Sequence, residues 1–380
     1  MMRPMKLAGS ELMFGKDCLE YIKTIKCKKA SIVIGGSSMV KSGILDKVRG
    51  LFAEIGAETQ VVSGVEPDPS FATVMRGANE MKEFGPDLIV GLGGGSVMDA
   101  AKTMWIYYEH PELSSLDELF PPYTFPKLRE KARFCCIPST SGSASEVSRS
   151  VVISDENGMK RGLGNMEMMP DIAICDPEVC VSMPPHITAE TGMDALTHAL
   201  EALVSNRANY VSDIMAIKAA KDIIKYLPIA YKDGANLEAR EMMANASMVA
   251  GMAFTNVSLG IVHSMAHTLG SYFHLPHGMA DAIMLPYVME FNCGAEYAKE
   301  IYASFAKEIG SDDLVASVKA LNKELNIASC LSEVIEDEAK FMELLETMAE
   351  CAKADGCTKT NPIIPSIEQF KDLFVKAYKG

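Results

Sequence analysis

A chain of 380 residues with a formal net charge of −14 is not built to neutralise phosphates along a nucleic acid, which takes clustered Lys and Arg. With 48% hydrophobic and 23% charged residues, it is long and apolar enough for two or three globular domains, or two lobes. Ten cysteines without CxxC pairs, an N-terminus without a signal-peptide core, and no 18-residue apolar run point to a reduced, soluble, cytoplasmic protein with no membrane partner.

Along the first half, short β-rich runs alternate with helical segments. "KKASIVIGG", "ETQVVSGV", "PDLIVGLGGG", "RFCCIPSTSG" and "PDIAICDPE" read as strands closed by turn residues. Between them, "VKSGILDKVRGLFAEIG" and "SFATVMRGANEMKEFG" carry apolar residues at helical spacing with a glycine near the end. This alternation predicts a parallel sheet covered by helices over residues 1–180. After "MPPHITAE" the strands stop, and patterns such as "VSDIMAIKAAKDIIKYL" and "AKFMELLETMAECAK" predict an all-helical domain over 181–380.

Two loops of the first half suit an anion. In "DLIVGLGGGSVMDAAK" an apolar strand runs into Gly93, Gly94, Gly95 and Ser96, and a helix opens near Val97. Backbone without side chains approaches a phosphate closely, and the unpaired N–H groups of a helix start favour negative charge. The pattern is neither GxGxxG nor a P-loop, and such a turn also serves purely structural ends. "IPSTSGSASE" follows the next strand with hydroxyls at Ser139, Thr140, Ser141 and Ser143. Two such loops on neighbouring strands favour a long phosphate-bearing ligand such as a dinucleotide.

The second half concentrates candidate metal ligands. "TAETGMDALTHALEALV" reads as a helix with Thr188 as its cap, and Asp194 and His198, four apart, leave one face. Alone, that is more often a hydrogen-bonded pair than half a metal site. "HSMAHTLGSYFHLPHG" then brings four of the seven histidines within fifteen residues. His263 and His267 share a helical face, and His277 falls in the turn that follows. A carboxylate with three imidazoles suits Fe(II) or Zn(II). Spacing does not select among His263, His267, His274 and His277; His110 and His186 read as surface or loop residues, and the 26 methionines as core filler.

Taken together, "GGGSVMDAAK", "PSTSGSASEVS", "MPPHITAETGMDALTHALEALVS", "GIVHSMAHTLGSYFHLPHGMADAIMLPYVMEFN" and "CTKTNP" resemble, in order and over nearly the whole chain, the iron-containing (group III) alcohol dehydrogenases. The resemblance implies an α/β plus all-α fold of the dehydroquinate synthase-like kind: a Rossmann-like parallel-sheet domain, then an all-helical metal-binding domain. It places Asp194, His198, His263 and His277 at the four metal ligands, for Fe(2+) with Zn(2+) suited to the same site. It makes His267 a proton relay and leaves His274 without a ligand role. Gly94, Gly95, Ser96 and Asp99 match the pyrophosphate turn, Ser139, Thr140 and Ser148 match cofactor contacts, and Lys160 matches a contact to the nicotinamide ribose. Phe254 and Cys357 fall at substrate-pocket walls.

The implied activity is reversible NAD(P)H-linked reduction of a small aldehyde to a primary alcohol, with a homo-oligomer, dimer or larger, as the expected state. Many NAD-preferring relatives carry an Asp where this chain has Gly36, so NADPH is the expected form, with NADH as the alternative. Arg149 and Arg161 raise a second substrate reading, an anionic short aldehyde such as sulfoacetaldehyde or succinic semialdehyde; the plainer reading solvates both arginines or pairs them with acids such as Asp155. Dehydroquinate synthase and polyol-phosphate dehydrogenases share the fold class but match less well. A non-catalytic assembly or metal-sensing protein is the reading from another class, and the intact ligand set and nucleotide loops stand against it.

Overall fold

The computed structural model describes residues 5–156 and 158–380. It divides into two compact units, one running up to Met183 and including Gly234–Met248, the other formed by Pro184–Asp233 and Val249–Gly380.

The first unit contains β1 (Glu11–Phe14), β2 (Lys29–Val33), α1 (Ser38–Lys41), α2 (Ile44–Glu54), β3 (Glu58–Val62), α3 (Phe71–Phe84), β4 (Leu88–Gly93), α4 (Gly95–Glu109), β5 (Arg133–Pro138), β6 (Ser150–Ser154), β7 (Lys160–Gly164) and β8 (Ile172–Cys175). Six strands form one parallel sheet in the order β1-β8-β5-β4-β2-β3. Every residue of β4 is buried, as an apolar strand covered on both faces must be. One core layer puts Val74, Met81, Met104 and Trp105 against Ile89 and Phe134; the other puts Leu19, Val48 and Phe52 against Ile32, Val90 and Ile137.

The five strands expected from patterning are present. The helix expected over "VKSGILDKVRGLFAEIG" is divided at Ser42–Gly43, where Gly43 takes a left-handed conformation (φ 76°) and separates α1 from α2. Helix α4 opens at Gly95, two residues before Val97. Two features went unread: β1, four residues long at the sheet edge, and the β6–β7 antiparallel hairpin.

The second unit is helical: α5 (Pro185–Val204), α6 (Tyr210–Lys232), α7 (Leu237–Val257, whose first turns lie in the first unit), α8 (Ile261–Phe273), α9 (His277–Asn292), α10 (Glu296–Glu308), α11 (Leu314–Glu324), α12 (Glu338–Ala354) and α13 (Ile367–Lys379). Thr188 does not cap α5. Pro184 and Pro185 start that helix, Pro185 with the fixed φ of a first helical residue, and the Thr188 hydroxyl donates back to the Pro184 carbonyl at 3.1 Å. No single helix among the described residues is long and apolar enough to cross a membrane, and all ten cysteines are free.

Candidate functional site

In the first unit, the strand ends bring the two small-residue loops together. Gly93 and Pro138, the last residues of β4 and β5, are register partners, and Ser139 N–H donates to the Gly93 carbonyl at 2.9 Å. Gly94 is the N-cap of α4, and a Cβ on Gly95 would lie 2.8 Å from Ser143, so the helix start and the serine loop meet with no room for a side chain. Between β2 and β4 the strand order reverses direction, which is where open parallel sheets take ligands at their carboxyl ends. Gly36 follows β2 at that point, exposed, with nothing within 4 Å of an added Cβ.

The remaining nucleotide candidates are held by the protein itself. The Asp99 carboxylate accepts from the Ser145 hydroxyl (2.8 Å) and the Val152 N–H (2.9 Å), so it braces the serine loop and β6. Ser148 is buried and its hydroxyl accepts from Ser150 N–H at 3.0 Å. Lys160 pairs with Asp68 at 2.8 Å. Sequence reasoning passed over Lys102, two turns into α4: fully buried, it donates to the Ser145 and Ser148 carbonyls at 2.7 and 2.8 Å and anchors the loop to the helix. Arg161 takes the plainer of its two readings, with nitrogens 3.0 Å from Asp117 and 3.7 Å from Asp155 and its guanidinium over Phe120.

In the second unit three helices converge on one point. Asp194 and His198 leave the same face of α5, and His263 comes from the first turn of α8. His277 is the first residue of α9, not a turn residue. A Cβ on Gly278 would lie 2.1 Å from the Glu190 carbonyl oxygen, and that bare contact seats the start of α9 against α5. Asp194 Oδ1 then stands 3.4, 3.6 and 3.8 Å from the Nε2 atoms of His198, His263 and His277. Ligands about 2.1 Å from a common ion stand roughly 3.0–3.4 Å apart when adjacent, so these separations close on one with small movements. Among the described residues Asp194 Oδ1 and His263 Nε2 are buried without a hydrogen-bond partner, and with the imidazole neutral each would offer a metal a lone pair.

A fifth group reaches the same point. Asp281, one turn along α9 from His277, has Oδ2 at 3.2 Å from His277 Nε2 and 3.9 Å from His263 Nε2. Asp194, His263, His277 and Asp281 offer donor atoms that all lie within 4.8 Å of one another. The charges interlock. Burial would raise the Asp194 carboxyl, but His198, His263 and His277 outweigh it and hold it below the ordinary carboxylate range. Burial pushes Asp281 well above that range, and Asp194 and Glu201 add to the effect against the pull of His263. Burial disfavours a charged His263, yet Asp281, Glu201 and Asp194 together raise it well above an ordinary imidazole. Two carboxylates this close do not both stay ionised beside neutral imidazoles, and a divalent cation binding here would displace protons.

Around this point lie groups that orient it. Glu201 accepts from His263 Nδ1 at 2.6 Å and from the Gly260 and Val262 N–H groups at 2.9 and 2.8 Å, fixing the ring while capping α8. His198 is stacked between Phe254 (4.3 Å) and His263 (4.6 Å). His267 turns Nδ1 to Asp355 Oδ2 at 2.9 Å and stacks on His277 at 5.3 Å. The Asp355 carboxyl, which burial would raise, is held below its ordinary range by His267 and by the Cys357 N–H at 2.7 Å. Burial, then Asp355, pushes the Cys357 thiol well up. His274 lies apart: exposed and left-handed (φ 54°), it ends α8.

A parallel sheet with bare-backbone loops at its switch point, and a helical unit gathering imidazoles and carboxylates, are the parts that a metal-assisted, dinucleotide-dependent oxidoreductase needs. The chain belongs to the iron-containing alcohol dehydrogenase family. The family's model matches residues 9–177 and the model of its C-terminal part matches 188–378. Over 380 residues the chain is 44% identical to the NADPH-dependent butanol dehydrogenase of Clostridium saccharobutylicum, covering 97% of each protein. The iron-containing alcohol dehydrogenase of Thermococcus thioreducens superposes with a TM-score of 0.92 at 36% identity, over 99% of this chain and all of that one. Sulfoacetaldehyde reductase from Bifidobacterium kashiwanohense, solved with NAD+, gives 0.88 at 26% identity over 99% of both chains. The chain is therefore an enzyme that interconverts aldehydes and alcohols reversibly with NAD(P)(H).

Proposed function

We propose that the enzyme reduces small neutral aldehydes to primary alcohols with NADPH, using Fe(2+) held by Asp194, His198, His263 and His277. The observation that carries this is the approach of three Nε2 atoms to within 3.8 Å of one buried, unpartnered Asp194 oxygen. When bound, the ion supplies Lewis acidity toward a carbonyl oxygen, the charge stabilisation that hydride transfer to carbon needs. Glu201 keeps Nε2 of His263 aimed inward by occupying Nδ1. Asp355 does the same for His267, so that the imidazolium can pass its Nε2 proton to the alcohol oxygen as product forms and take another from solvent. The Phe254 ring against His198 supplies an apolar wall. In the nucleotide unit, Gly94, Gly95 and Ser96 offer backbone to a pyrophosphate, and Ser139 and Thr140 flank it.

A neutral substrate is favoured over an anionic one because Arg161 is engaged with Asp117 and Asp155. The higher identity to a butanol dehydrogenase than to a sulfoacetaldehyde reductase supports the same choice. Initial rates with Fe(2+)-loaded enzyme should show oxidation of NADPH with butanal or propanal at a higher kcat/KM than with succinic semialdehyde or sulfoacetaldehyde. A preference for the anionic aldehydes that is lost in Arg149→Ala would reject the neutral reading.

A further inference from the structure

We propose that Asp281 is a fifth protein ligand of the metal centre, a second carboxylate that suits the site to a six-coordinate divalent ion rather than to tetrahedral zinc. The inference rests on the metal reading above and extends its ligand set.

Three observations lead to it. Asp281 has no solvent exposure, and among the described residues neither of its oxygens has a hydrogen-bond donor, which is costly for a buried carboxyl unless something else satisfies it. Its Oδ2 faces the donor atoms of proposed ligands, His277 Nε2 at 3.2 Å and His263 Nε2 at 3.9 Å, with the Asp194 carboxylate close beside. It sits at position i+4 from His277 on α9, the same relation that places Asp194 and His198 together on α5, so each of two helices contributes one imidazole and one carboxylate from one face.

The consequence is a matter of coordination number and charge. Asp194, His198, His263 and His277 alone fill a tetrahedron, which Zn(2+) accepts readily. With Asp281 the site would offer up to five protein donors, four of them within 4.8 Å of one another, and a six-coordinate ion would keep room for a substrate oxygen. Five donors of this N/O type fit Fe(2+) or Mn(2+), and the second carboxylate brings the charge of a bound dication to neutrality. The pocket's own residues would then oppose zinc, whose affinity for a plain nitrogen-rich site otherwise exceeds that of iron.

The test compares metal binding in the full-length wild type and Asp281→Asn, which keeps the side-chain shape and removes the charge. Affinities for Fe(2+), Mn(2+) and Zn(2+) are measured by chelator competition on metal-free protein, and thermal unfolding is followed with and without each ion. Asp281→Asn should lose at least about tenfold in Fe(2+) and Mn(2+) affinity and distinctly less for Zn(2+), with a smaller metal-induced rise in Tm. Equal affinities and an equal Tm rise in the two proteins would overturn the role of Asp281 while leaving the four-ligand site standing. Failure of the wild type to bind any divalent ion would overturn both readings. If Asp281→Asn does not fold, a crystal structure of Mn(2+)-loaded wild type decides. An Asp281 oxygen at about 2.0–2.2 Å from the ion supports the assignment, and one beyond about 3 Å overturns it.

Discussion

In the first unit the groups offered to a ligand are mostly backbone, at the ends of β2, β4 and β5; in the second they are side chains from α5, α8 and α9. The two kinds of site tolerate change differently. A backbone cradle depends on what is absent, the Cβ that would strike Ser143 from Gly95, and on props behind it such as Lys102 and Asp99. The histidine centre depends on what is present, imidazoles and carboxylates whose protonation states are set by one another. Removing one prop loosens a loop, whereas removing one donor leaves the others unbalanced in a dry interior.

The same contrast explains how far the sequence could be read. β2, β4, β5, α3 and the glycine turn follow from local patterns, because strand alternation and turn residues act over a few positions. β1 and the β6–β7 hairpin do not: four half-exposed residues pair with β8 from more than 150 positions away, and no local signal announces that. In the helical unit, spacing alone left four histidines as alternatives, and the family resemblance chose among them. The structure places the chosen two, His263 and His277, with His198 around Asp194 and sets His274 outside. Asp281 and Glu201 were legible and passed over. Asp281 is i+4 from His277, the spacing already used for Asp194 and His198, and Glu201 is i+3 from His198. Asp355 could not be found that way, since only tertiary packing brings it to His267, 88 residues earlier.

The sharpest way to break the contrast is to remove a donor. His263→Ala should abolish stoichiometric metal and lower kcat by about 10³-fold or more, because Lewis-acid stabilisation is worth several kcal/mol. NADPH binding, followed by fluorescence, should be unchanged, since the loops that offer it backbone lie in the other unit. Full metal content in this variant would mean that His263 is a core histidine held by Glu201 and nothing more.

His267→Ala separates the donors from their neighbour. His267 stacks on His277 but spends Nδ1 on Asp355, so metal content should stay at wild-type level while kcat falls by roughly 10²-fold, the usual worth of a positioned proton donor. Asp355→Asn should lower kcat in the same sense and less severely, because it releases the ring without deleting it. Loss of metal in His267→Ala would transfer that histidine to the ligand set.

The smallest effect belongs to the backbone site, where a side chain is added instead of removed. Gly36 follows β2 beside the switch point, exposed, with no atom within 4 Å of a new Cβ and no left-handed φ to forbid one. Gly36→Asp therefore introduces a carboxylate without strain, and folding stability should stay within about 0.5 kcal/mol of wild type, as for most surface changes. A carboxylate there would accept from a ribose 2′-hydroxyl and repel a 2′-phosphate. The ratio of kcat/KM for NADPH over NADH should fall by about tenfold, mainly through KM for NADPH, with metal content and the aldehyde preference unaltered. Since two negative groups are screened by salt, the penalty on NADPH should also shrink as ionic strength rises. An unchanged cofactor ratio would mean that the 2′ position lies elsewhere and that the uncharged Gly36–Ser38 turn plays no part in choosing NADPH.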